Sequence, residues 1–162
     1  RDEGEGSVKM PVTIQQVLEN CLMLMGATLR HNNIEVTTRV PDEPVQVWAN
    51  GNALEQVVTN FLSNARDAML ESSVKRLLLK LWVEGEEAVL RIQDTGCGMD
   101  EVVRERMMES FFTTKKAGRG TGLGMSISRM ILEEHQARMT CESQVGEGPT
   151  FHLYFPLPQS VE

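Results

Sequence analysis

Between Asn60 and Gly124 four short segments follow one another, and their order constrains the fold more than any other feature of the chain. They are Asn60-Phe-Leu-Ser-Asn64-Ala65-Arg-Asp67-Ala68, Asp94-Thr-Gly96-Cys-Gly98-Met99, Phe111-Phe112-Thr113-Thr114-Lys115 and Gly118-Arg-Gly120-Thr121-Gly122-Leu-Gly124. The first is the polar side of a helix, the second closes an apolar strand, and the last is a glycine loop opening another helix. One such cluster identifies nothing, since Asp and Gly are ordinary turn residues. A fold that uses them together has to bring a helix flank, a strand end and a helix start to one place.

Composition sets the bounds. At 162 residues and 41% hydrophobic content there is room for one domain with a single core. Residues 12–158 carry that domain, with 1–11 read as a linker and 159–162 as a tail. A net charge of -7 argues against nucleic acid or an anionic membrane as partner, because either needs a basic surface. Cys21, Cys97 and Cys141 form no Cys-x-x-Cys pair, so neither a disulfide framework nor a zinc site is indicated, and a reducing, cytoplasmic setting is expected. No apolar run approaches membrane-spanning length and no signal-peptide pattern is seen, which leaves membrane attachment of a longer protein open.

Periodicity outlines the elements. Thr13 with Gln16 has the form of a capping box, and Ile14, Val17, Leu18, Cys21, Leu24 and Met25 follow helical spacing. Ile34, Val36, Thr38 and Val40 alternate as a strand that Pro41 stops, and Val45 to Trp48 is a second short one. Asn50-Gly51-Asn52 opens a helix carrying Leu54, Val57, Val58, Phe61, Leu62 and Ala65. Leu77–Val83 and Ala88–Gln93 flank Glu84-Gly85-Glu86-Glu87 as a hairpin. A short helix is expected over Asp100–Glu109, a longer one over Leu123–Gln136, and a last hairpin from Arg138–Ser143 and Thr150–Phe155. Helices interspersed with hairpins predict an α+β sandwich with one mixed sheet covered on one face.

The chemistry follows from spacing. Asn60 and Asn64 are four apart, with Asp67 three further on, so all three share a helix face. Amide oxygens are hard ligands of the kind Mg²⁺ accepts, usually with one or two protein groups completed by phosphates and water. Two isolated asparagines would read as a solvated stripe. Asn is a poor helix former, however, and two aligned in mid-helix beside the small Ala65 and Ala68 favour a site. Asp94 can accept a hydrogen bond from an adenine amino group, Gly96 and Gly98 let backbone come near a ligand, and Met99 can lie on a purine face. Four glycines between Gly118 and Gly124 lead straight into a helix, whose free N–H groups and dipole suit phosphate. Lys115, Lys116 and Arg119 add positive charge there. The loop is not a Walker A motif, which would need Gly-Lys-Ser/Thr, and no strand precedes it as in a Rossmann fingerprint.

These segments resemble the N, G1, F and G2 boxes of the catalytic ATP-binding domain of sensor histidine kinases, in the gyrase–Hsp90–histidine kinase–MutL superfamily. The resemblance runs from Val12 to Leu157 and includes Gly146-Glu-Gly148-Pro-Thr150-Phe151. Phe-Phe-Thr-Thr-Lys looks most like the nitrogen-regulator and dicarboxylate-sensor branch. The resemblance implies a Bergerat-type two-layer α/β sandwich, its mixed sheet of about five strands packed on one face by about three helices. It implies ATP and Mg²⁺ as cofactors, with Asn64 the main metal ligand and Asn60 beside it. Asp94 would read the adenine amino group, Gly96, Gly98 and Met99 would shape the pocket, and Thr150 would support adenine through water. Asp67, Thr114, Lys115, Gly120, Thr121, Gly122, Leu123 and Gly124 complete the implied nucleotide site, with residues 112–120 as a lid and Asn60 and Lys115 as catalytic groups.

The implied activity is half of a kinase. The domain would offer the γ-phosphate of Mg-ATP to a histidine on a separate dimerisation domain, for transfer to a response-regulator aspartate, in a homodimeric full-length protein. Gyrase-like ATPases are similar at Asn60 but carry a glutamate that activates water; an amide cannot act as that base. His31, His135 and His152 lack the acidic residue that follows the family's acceptor histidine. Two departures stand out. Met108-Glu-Ser110 replaces Phe-x-Pro, and Gln136-Ala137 replaces the Gly-Gly after His135, so the helix exit is expected to differ locally. An anti-sigma-type serine kinase and a catalytically silent ATP-binding scaffold are the alternatives.

Overall fold

The computed structural model describes residues 8–96, 122–144 and 147–158. In chain order the elements are β1 (Met10–Thr13), α1 (Ile14–His31), β2 (Glu35–Arg39), β3 (Gln46–Ala49), α2 (Gly51–Ala68), β4 (Arg76–Glu84), β5 (Glu87–Asp94), α3 (Gly122–Glu134), β6 (Arg138–Gln144) and β7 (Glu147–Pro156). Five strands form a mixed sheet in the order β2-β4-β5-β7-β6, parallel only between β2 and β4. β1 and β3 pair separately as an antiparallel ribbon, from Met10 opposite Ala49 to Thr13 opposite Gln46. β1 is a strand the periodicity does not reveal.

Strand alternation divides the sheet. Leu77, Leu79 and Leu81 on β4, Ala88, Leu90 and Ile92 on β5, and Phe151, Leu153 and Phe155 on β7 point into one core with the helices. α2 inserts Leu54, Val57, Val58, Phe61, Leu62 and Ala65, the predicted apolar set, and the Phe61 ring meets Phe151 edge-on at 4.9 Å. Asn50 caps this helix by accepting from the Ala53 N–H at 2.9 Å. The other sheet face carries Lys80, Trp82, Arg91, His152 and Tyr154, where Arg91 stacks over Trp82 and donates to His152. Gly85 turns the β4–β5 hairpin at φ 62, which glycine adopts without strain.

Two local expectations give way to packing. Thr13 stands at the start of α1 but makes no side-chain cap; as the last residue of β1 its hydroxyl instead accepts from Gln46 across the ribbon, and Gln16 donates to Asn20. Leu24 is 72% exposed, because the buried arc of α1 drifts toward Leu22 and Leu29 in its second half. The helix expected over Asp100–Glu109 lies outside the described residues.

Candidate functional site

β5 ends at Asp94, which the alternation of Leu90 and Ile92 turns toward the core and which is only 5% exposed. Its Oδ1 accepts from the Gly96 N–H at 2.7 Å, a two-residue closure that fixes the direction of the carboxylate. Backbone crowds this strand end from two sides. A Cβ on Gly96 would stand 2.7 Å from the Ala68 carbonyl oxygen at the end of α2, and one on Gly148 would overlap the Asp94 carbonyl. Thr95 ties down the connector into β4: its hydroxyl donates to the Val74 carbonyl at 2.6 Å and accepts from the Arg76 N–H at 2.9 Å.

Asn60, Asn64 and Asp67 line one half-buried flank of α2. Asn60 donates through Nδ2 to Oγ of Ser128 on α3 at 3.1 Å, and Ser128 is wholly buried. Asp67 takes an ion pair from Arg66 at 3.1 Å, while Arg66 also donates to the Ser63 hydroxyl. At the far end, the Asn50 N–H donates to Nε2 of His135, whose Nδ1 donates to the Ile131 carbonyl at 2.7 Å. That pattern defines a neutral imidazole, and burial holds its pKa below the ordinary histidine value. The two bonds, His135 to Asn50 and Ser128 to Asn60, run α3 antiparallel to α2. Gly124, one turn before Ser128, is thereby carried toward the Asn64 end of α2.

This arrangement fits a nucleotide and a hard cation. Among the described residues no three His, Cys, Asp or Glu side chains gather to hold a metal; the flank instead carries the amides of Asn60 and Asn64, whose oxygens are of the chemical kind Mg²⁺ accepts. Gly96 carries no side chain of its own toward α2, where a Cβ would meet Ala68.

The profile of the histidine kinase-, DNA gyrase B- and HSP90-like ATPases matches residues 49–159, more than half of the chain. The chain belongs to this family. It is an ATP-binding catalytic domain of the sensor-histidine-kinase type, and the family's fold implies an ATP site. The nucleotide-free catalytic domain of histidine kinase ThkA superposes with a TM-score of 0.80 at 25% identity, covering 91% of this chain and 95% of that one. Two-component sensor PprA of Pseudomonas aeruginosa is 36% identical over 94% of this chain, and sporulation kinase E of Bacillus subtilis 32% over 92%. The chain spans only 17% and 20% of the length of those two proteins. Relatives from several branches stand at similar identity, so no branch is singled out.

In the ATPase domain, then, the fold gathers Asn60, Asn64, Asp67, Asp94 and Gly96, and Gly122, Leu123 and Gly124 form the first turn of α3. Thr150 stands apart: it pairs with Gln93, so it shares the sheet face of Gln93 and His152, opposite to that of Asp94. Gly98, Met99, Thr114, Lys115, Gly120 and Thr121 lie outside the described residues, as do Cys97, Met108 to Ser110 and the segment 112–120. Sequence reasoning missed Ser128 and Thr95. The signal for Ser128 was a hydroxyl on the apolar spacing of Met125 and Leu132, a core position that tolerates a polar atom only with a partner. Among the described residues no helix is long and apolar enough to cross a membrane.

Proposed function

We propose that this domain binds Mg-ATP against α2, the end of β5 and the start of α3, and presents the γ-phosphate to a histidine on a dimerisation domain of the same protein. A response-regulator aspartate would then receive the phosphoryl group, on the cytoplasmic side where ATP is found. In this reading Asn64 is the main metal ligand with Asn60 beside it, Asp94 accepts from the adenine amino group, and Gly122 to Gly124 donate backbone N–H groups to phosphate. Lys115 and Thr114 add contacts from the lid. The observation that carries it is the antiparallel pairing of α2 and α3 through Asn60–Ser128 and Asn50–His135, with Asp94 held at the same end by the Gly96–Ala68 contact. Transfer of this kind rests mainly on positioning and charge neutralisation, and the amide at Asn60 supports transfer over hydrolysis because it cannot deprotonate water. The Phe-Phe-Thr-Thr-Lys segment supports placing the domain nearest the nitrogen-regulator and dicarboxylate-sensor branch.

The test supplies labelled ATP and Mg²⁺ to this chain with a separately prepared histidine-bearing dimerisation domain. Acid-labile label on that domain, lost in Asn64→Ala, is expected. Acid-stable label on a serine of another protein would support the anti-sigma-type alternative, and ATP binding with no transfer at all would support the scaffold.

A further inference from the structure

Ser128 is wholly buried on the core side of α3, yet it carries a hydroxyl. A buried polar group has to be partnered, since leaving it unmade costs more than making it returns. Its partner is the Asn60 side chain: Nδ2 donates to Oγ at 3.1 Å across the α2–α3 interface. An amide has two unlike ends. With its nitrogen turned to Ser128, the other end of the amide, the carbonyl oxygen, is turned away from that hydroxyl.

We infer that Ser128 is a positioning residue, which sets the rotation of the Asn60 amide so that its oxygen, not its nitrogen, is offered to the magnesium of Mg-ATP. The inference rests on the metal reading of Asn60 given above. A nitrogen carrying two hydrogens cannot ligate a cation, so a flipped amide would replace a ligand with a repelling dipole. The hydrogen bond also crosses between the helix that bears the candidate metal ligands and the helix that follows the glycine loop. Metal affinity is thereby made sensitive to the seating of α3.

The experiment measures Mg²⁺ dependence of ATP-analogue binding by this chain, together with analogue affinity without metal and the thermal midpoint. Ser128→Ala is expected to raise the half-saturating Mg²⁺ concentration about fivefold, the effect of one neutral hydrogen bond, while metal-free affinity stays constant. Ser128→Thr, which keeps the hydroxyl, is expected to restore the wild-type requirement. If the extra methyl lowers the midpoint instead, the Asn60 side-chain amide resonances of Ser128→Ala decide: a shift supports the positioning role and unchanged resonances overturn it. In an Asn60→Ala background, Ser128→Ala should have no further effect on the Mg²⁺ requirement, a non-additivity that simple packing loss would not produce. Equal Mg²⁺ requirements in wild type and Ser128→Ala, with Asn60→Ala raised, would overturn the positioning role alone. An unchanged requirement in Asn60→Ala would overturn the metal reading of Asn60 and the inference with it.

Discussion

The α carbon of Gly96 faces the carbonyl of Ala68 so closely that a methyl group there would stand 2.7 Å from the oxygen and 2.8 Å from the Ala68 side chain. The end of β5 is thus seated on the last turn of α2, and the Asp94 carboxylate takes its place from that seating. The obstruction is backbone, which a rotamer change cannot relieve.

Gly96→Ala should therefore push the strand end off α2. We expect a loss of stability of about 1–3 kcal/mol, in the range of overpacking, with a tenfold or greater loss of ATP affinity, roughly the equivalent of one mispositioned polar contact. Denaturant titration and calorimetry on the folded variant check it. Full affinity in a destabilised Gly96→Ala would separate the seating of β5 from the binding of nucleotide.

Asp94→Asn replaces an acceptor with an amide that can present its nitrogen to the ligand. The Gly96 N–H still finds an oxygen, so the fold should hold. Adenine-nucleotide affinity is expected to fall by roughly 1.5–3 kcal/mol, the worth of a charge-assisted hydrogen bond. Calorimetry returning equal ATP affinity in wild type and variant would remove Asp94 from the adenine contact.

His135 makes stability depend on pH. Burial chiefly lowers its pKa, with the Ile131 carbonyl opposing, and His152 is lowered by burial and then by Arg91. As pH falls through about 6.5 the unfolded chain takes up protons that the folded state resists. The contribution is therefore complete above that value and is lost as pH falls toward the folded pKa. Urea midpoints should drop between about pH 7 and 5. His135→Gln, which can still bond both Asn50 and Ile131 as a neutral group, should flatten the drop in part, with the His152 share left. An identical slope in the variant would mean His135 does not carry the dependence.

Gln136 leaves α3 in the left-handed region at φ 54, where the Ala137 N–H reaches the Leu132 carbonyl at 2.8 Å and the Gln136 N–H the Glu133 carbonyl at 3.1 Å. This is the exit a glycine makes without strain. Gln136→Gly should relieve about 1–2 kcal/mol of backbone strain, against the ~0.4–1 kcal/mol that a freer unfolded chain removes. A net gain of roughly 0.5–1 kcal/mol in urea unfolding is expected from that difference. A loss would show that the Gln136 side chain, which donates to the Glu134 carbonyl at 3.4 Å, outweighs the strain.

Legibility in the sequence followed the range of the interaction. The apolar set of α2 and both long hairpins appear where periodicity places them, because side chains three, four or two apart see the same neighbours whatever the wider fold. Asn60, Asn64 and Asp67 could be put on one flank for the same reason. Thr13 and Leu24 could not be read correctly: a hydroxyl that caps a helix in one context reaches a neighbouring strand in another, and a helix edge is buried only if something lies over it.

Family membership, the order of the nucleotide-type segments and most of the element boundaries were already determined by the sequence alone, since each is carried by residues close together in the chain. Only the tertiary structure decided the separate β1–β3 ribbon, the left-handed exit at Gln136, and the face on which Thr150 falls. It also decided the partner of Asn60. Ser128 lies 68 residues away in sequence, and no local pattern states which of two amide ends will meet it. Spacing along a helix says which side chains stand together; which atom each one offers depends on what the fold packs against it.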